Sequence, residues 1–105
     1  DPDKILKPMS WNYGAIITYF AKSGPFSEIG FIVETKNEEK KCTIKIFDGK
    51  GYLIKTVAND QTVKNKQIFY WDGKDESGNI VKMGLYFSIV KIGDKIYQYK
   101  IPVIK

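Results

Sequence analysis

Apolar and polar residues alternate with a period of two along most of this chain, and that pattern confines it to strands. In residues 42–48, Ile44 and Ile46 face one way, and Thr43 and Lys45 face the other. Side chains on an extended backbone point to opposite faces in turn, so such a segment buries one face and wets the other. Residues 14–22 set Ile17 and Tyr19 against Ile16, Thr18 and Phe20, and Ser23-Gly24-Pro25 breaks the run. Residues 28–35 place Ile29, Phe31 and Val33 on one face. The charged run Lys36-Asn37-Glu38-Glu39-Lys40-Lys41 is expected to be a hairpin loop, and Asp48-Gly49-Lys50-Gly51 a tight turn into a strand at 52–58. A polar stretch at 59–66 leads to another strand at 67–71. A loop dense in turn formers follows, then a long strand at 84–92. Gly93-Asp94 turns the chain back into 95–104, where Tyr97, Tyr99, Ile101 and Val103 share a face. Pro102, on the other face, marks an edge strand or a strand end.

About seven strands separated by turns, with no amphipathic helix, predict an all-β fold: an antiparallel two-sheet sandwich, with closure into a barrel as the alternative. Residues 13–105 form that domain, and residues 1–12 read as an extended lead-in or linker. The 105 residues suit one domain, and 43% apolar content is too high for disorder.

The chain contains no His, which excludes Ser-His-Asp and Cys-His nucleophile systems and His-containing zinc sites. Its single cysteine, Cys42, has no internal disulfide partner and reads as a small buried hydrophobe. The formal net charge is +5, but every basic residue is Lys and the lysines are spread along the chain. Without the planar Arg fork for base edges, nucleic acid is not an expected partner. No apolar run is long enough to span a membrane as a helix. No signal-peptide pattern is visible, and the start at Asp1-Pro2-Asp3 reads as that of a mature or excised piece.

The loop after residue 71 holds the most distinctive residues. Burying the Trp71 ring removes roughly 150–250 Å² from water, and its indole N–H then needs an acceptor. Asp72 and Asp75 can hold Asx-type turns, while Gly73 and Gly78 supply positive φ. Tyr86, just after Gly84, can pack its ring and return its hydroxyl to the backbone as a tyrosine corner does. Asp72, Asp75, Glu76 and Asn79 form a weak calcium candidate, since their spacing is not that of an EF-hand loop and Lys74 sits among them. Phe31, Phe47, Phe69, Phe87, Tyr97 and Tyr99 are expected in the core. Trp11, Tyr13, Phe26 and Tyr52 lie near breaks, where they could form a binding surface for protein or polysaccharide.

The run Trp71-Asp72-Gly73-Lys74-Asp75-Glu76-Ser77-Gly78-Asn79, followed by Gly84-Leu85-Tyr86-Phe87, resembles the Ig-like domain of the flagellar hook-capping protein family. It is similar also to C-terminal domains of secreted bacterial enzymes and adhesins, including type IX secretion sorting domains. Upstream, Thr43-Ile44-Lys45-Ile46-Phe47-Asp48-x-x-Gly51 and Tyr52-Leu53-Ile54-Lys55-Thr56-Val57 match their strand–turn–strand unit. The resemblance covers roughly residues 28–105. It implies an immunoglobulin/fibronectin-III-like antiparallel β-sandwich in which Trp71, Asp72, Gly73, Asp75, Gly78, Gly84 and Tyr86 are a structural motif. It implies no catalytic residues, no cofactor and an extracellular or cell-surface location. The role implied is an accessory or interaction module, a C-terminal domain of a larger bacterial protein that contacts other proteins. A secretion-sorting domain and a carbohydrate-binding module are the alternatives.

Overall fold

The computed structural model describes the backbone of residues 3–5, 11–12, 15–22 and 28–103, with side chains from residue 28 to residue 103. The strands are β1 (Asp3–Ile5), β2 (Trp11–Asn12), β3 (Ala15–Lys22), β4 (Ile29–Phe47), β5 (Leu53–Trp71), β6 (Gly84–Ile92) and β7 (Lys95–Val103); β3 to β7 hold the period-two segments, whereas β1 and β2 lie in the stretch read as a lead-in and pair with β3. Every pairing between them is antiparallel, and the pairings link all of them into one sheet. The described residues contain no helix.

The largest departure from the sequence expectation lies at 36–41. That charged run is not a hairpin loop, and 59–66 is not a separate connection. Both belong to strands of 19 residues, β4 and β5, which pair with each other on either side of a bend. The register shifts between Glu34 and Glu39, where Lys36 and Asn37 take φ of 52° and 69°. Asp60 and Asn65 on β5 do the same, at 52° and 76°. Asn and Asp tolerate this left-handed region better than most residues. Such insertions bend a strand and raise its twist without reversing it. Thr35 pins the bend. Its buried hydroxyl donates to the Glu38 carbonyl and accepts the Asn65 N–H at 3.0 Å. The charges cluster there because 36–39 are exposed, not because the chain turns back.

The bend lets one strand serve two neighbourhoods. Before it, β4 runs between β3 and the end of β5, with Ile17 opposite Val33 and Phe31 opposite Phe69. After it, β4 runs between the start of β5 and β6, with Ile44 opposite Val90. The strand β7 follows on β6 and ends the order. Ile29, Phe31, Val33, Phe69 and Trp71 from the first stretch join Cys42, Ile44, Ile46, Val90, Tyr97, Tyr99 and Ile101 from the second in one buried cluster. Each large apolar side chain so buried contributes about 1.5–3 kcal/mol relative to exposure.

Two aromatics expected in that core lie elsewhere. Phe47 and Phe87 stand opposite each other and are only half-buried. Phe47 is one residue out of phase with the buried Ile44 and Ile46, and Phe87 falls between the buried Tyr86 and Ser88. Strict alternation therefore sends both rings to the outer face.

Candidate functional site

Two turns share one hydrogen-bond design. In the first, Asp48 Oδ1 accepts the N–H of Lys50 at 2.9 Å and of Tyr52 at 3.0 Å. In the second, Asp75 Oδ1 accepts the N–H of Ser77 and of Asn79, both at 2.9 Å. In each, the aspartate N–H donates to the carbonyl four residues on, and its own carbonyl accepts from the glycine three residues on. Those glycines, Gly51 and Gly78, have φ of 90° and 86°, where a side chain would be strained. The pattern Asp-x-x-Gly-x thus encodes a closed loop in which the carboxylate replaces a missing backbone acceptor.

The second turn is anchored to the core through Trp71, which is 1% exposed. Its indole N–H donates to the Lys74 carbonyl at 3.0 Å, and Asp72 Oδ1 accepts the Lys74 N–H at 3.0 Å. Gly73, at φ 76°, accepts from Val81 N–H at 2.9 Å and closes the loop onto itself. Tyr86 meets the indole edge to face, with ring centroids 5.8 Å apart. Such a pair contributes about 0.5–1.5 kcal/mol beyond its buried area. The Tyr86 hydroxyl donates to the Lys82 carbonyl at 2.8 Å. Burial, and then the Asp48 carboxylate, push its pKa up.

Glu76 reaches from this loop to the outer edge of β5. Its N–H donates to the Ile54 carbonyl at 3.1 Å, and its Oε2 accepts the Thr56 N–H at 2.9 Å. Lys55 Nζ lies 3.6 Å from Oε1. Among the described residues no three His, Cys, Asp or Glu side chains are placed to hold a metal ion. Asp72, Asp75 and Glu76 each spend a carboxylate oxygen on backbone N–H groups.

Cys42 is buried, and desolvation pushes its thiol up to about 12, so it remains a protonated, inert hydrophobe. Of the expected binding aromatics, Tyr52 is 68% exposed beside the first turn. The side chains of Trp11, Tyr13 and Phe26 lie outside the described residues.

Sequence reasoning missed the outer face of β4, β6 and β7. A shallow groove of about 240 Å³ runs there, lined by Phe47, Asp48, Gly49, Gly51, Phe87, Ile89 and Gln98. It falls below the roughly 300–1,000 Å³ usual for small-molecule sites. Leu53 and Leu85 extend its apolar surface. The available signal was the odd phase of Phe47 against Ile44 and Ile46. Comparison with protein-family models, with curated proteins and with solved structures finds no match to this chain.

Proposed function

We infer that the chain is a non-catalytic, Ig-like accessory or interaction module of a larger secreted or cell-surface bacterial protein, folded as an antiparallel sandwich of about seven strands. The bend at Thr35 supports the sandwich, because it brings buried residues from both stretches of the sheet into one cluster. The resemblance of the Trp71–Tyr86 motif supports the Ig-like assignment and the extracellular setting. One observation carries the non-catalytic role: the polar groups that look reactive in the sequence are consumed by the fold. The carboxylates of Asp48, Asp72, Asp75 and Glu76 hold backbone N–H groups, and the Cys42 thiol is buried. Among its mostly polar exposed residues stand apolar side chains, Tyr52, Leu53, Tyr70 and Leu85 among them, of the kind that protein contacts use.

The test is deletion of the domain from its parent polypeptide. Assembly or surface retention is expected to fail while any turnover by the remaining domains persists. Loss of turnover with assembly intact would overturn the assignment. Retardation of the domain in polysaccharide affinity gels would move it to the carbohydrate-binding class.

A further inference from the structure

The outer face of β4 and β6 divides into two halves of different chemistry. Along β4, the buried Cys42, Ile44 and Ile46 alternate with the outward Lys41, Thr43, Lys45 and Phe47. The β4–β6 ladder carries no register shift, so Phe47 stands opposite Phe87, Lys45 opposite Ile89 and Thr43 opposite Lys91. Toward the aspartate turns this face is apolar. Phe47, Phe87 and Ile89 line the groove there, and Leu53 and Leu85 beside it are 48% and 45% exposed. Toward the bend at Thr35 it is cationic.

Three lysines surround Thr43 in that second half. Lys41 and Lys45 lie two positions away along β4, about 7 Å, and Lys91 lies directly across on β6, about 5 Å between Cβ atoms. Lys41 and Lys91 are exposed, and Lys45 is half-buried. Elsewhere Lys40, Lys55 and Lys64 each stand near a glutamate, whereas among the described residues no carboxylate pairs with Lys41, Lys45 or Lys91. Asp60 comes nearest along the chain of contacts, donating its N–H to Thr43 Oγ1 at 2.9 Å, and its carboxylate forms no ion pair with them. At the apolar end, Asp48 Oδ1 is engaged by the N–H groups of Lys50 and Tyr52. Like charges that neighbour one another on a sheet face destabilise it. The fold gains nothing from this lysine group, and an anion laid over it would relieve the repulsion.

We propose that this face docks an acidic segment of another protein, with apolar side chains seated against Phe47 and Phe87 and carboxylates over Lys41, Lys45 and Lys91. The proposal rests on the interaction role inferred above and names the partner's chemistry. The strand sets the spacing: along β4, Lys45 lies about 7 Å and Lys41 about 20 Å from Phe47. Apolar anchors therefore come at one end of the segment, and acidic residues follow over the rest. The groove is smaller than usual small-molecule sites and admits side chains. A second copy fits less well, because it would bring a further +5 to a face already cationic. A phosphate or sugar polyanion could use the lysines but would leave Leu53 and Leu85 in water.

The experiment uses the whole 105-residue chain. A labelled peptide of about twelve residues, Leu and Phe in one half and Glu in the other, is titrated by fluorescence anisotropy. Two control peptides replace Glu by Lys, or Leu and Phe by Ser. The first peptide is expected to bind, and to bind several-fold more weakly when salt rises from about 50 to about 500 mM. Changing Lys41→Gln, Lys45→Gln and Lys91→Gln together is expected to weaken binding about tenfold or more while Tm holds or rises, since the repulsion is relieved. Changing Lys64→Gln, Lys66→Gln and Lys74→Gln together removes the same charge elsewhere and should leave most of the affinity. Leu85→Ser, at an exposed position, should weaken binding several-fold. Equal binding of either control peptide, equal loss in the two triple variants, indifference to the first of them or to Leu85→Ser, or no binding up to about 1 mM would each overturn the proposal. So would a dimer in sedimentation equilibrium that Leu85→Ser abolishes, because the occupant would then be a second copy, or retention on dextran sulfate with no peptide bound, because it would then be a polyanion. Failure of the peptides alongside a parent that still needs the domain for assembly would sink this face and spare the interaction role.

Discussion

Replacing Thr35 with Val tests whether the bend is held by hydrogen bonds or only filled by packing. Thr35 is fully buried, and its hydroxyl works twice, as donor to the Glu38 carbonyl and as acceptor from Asn65 N–H. Val keeps the shape and removes both bonds. A typical hydrogen bond contributes about 0.5–1.5 kcal/mol, and a buried donor left without an acceptor costs about 1–3 kcal/mol. The added methyl returns up to about 0.8 kcal/mol. The expected net loss is about 2 kcal/mol, which for a domain of this size lowers Tm by about 10 °C. Thr35→Ser keeps the hydroxyl, loses one methyl and should cost only about 1 kcal/mol. Thermal and urea unfolding followed by far-UV circular dichroism measure both, and an unchanged urea slope keeps the comparison valid. The reasoning fails if the Val variant equals the wild type, or if the Ser variant is the less stable of the two.

Four further outcomes follow from the Trp71–Tyr86 corner, the buried Cys42 and the loop after Trp71. Tyr86→Phe loses the bond to the Lys82 carbonyl and should cost about 1 kcal/mol in urea unfolding. Tyr86 and Cys42 both have folded pKa values raised above their ordinary 10.0 and 9.0, so the fold holds their protons more tightly than the unfolded chain does. Their contribution is complete below the ordinary values and is lost as pH climbs through the folded ones, so Tm measured by calorimetry should fall above pH 9, more shallowly for Tyr86→Phe. Asp75→Ala strips the acceptor from Ser77 and Asn79 N–H and should cost about 2 kcal/mol; added calcium should leave the wild-type Tm in place. Glu76→Ala keeps the backbone bond to the Ile54 carbonyl but bares the Thr56 N–H on the β5 edge, and should raise thioflavin-positive aggregation with less effect on Tm.

The alternation of apolar residues made β3, β6 and β7 legible from sequence, and the single face shared by Tyr97, Tyr99 and Ile101 follows from it directly. What the pattern could not reveal is continuity. A charged run interrupts the period of two equally well when a strand ends and when a strand bends across the fold with its outer side in water. Lys36–Lys41 belongs to the second kind, and the only local sign was Thr35, a β-branched hydroxyl in phase with Phe31 and Val33. Its partner Asn65 is 30 residues away, so no local window contains the bond that decides the matter.

The site shows the same division between local and distant information. Asp48 and Asp75 are readable because each carboxylate accepts from N–H groups two and four residues ahead. Glu76 is not, because its partner Thr56 lies 20 residues back on another strand. Sequence alone makes Glu76 one more carboxylate in an acidic loop and so a calcium candidate. In the fold its N–H and its carboxylate both close a strand edge.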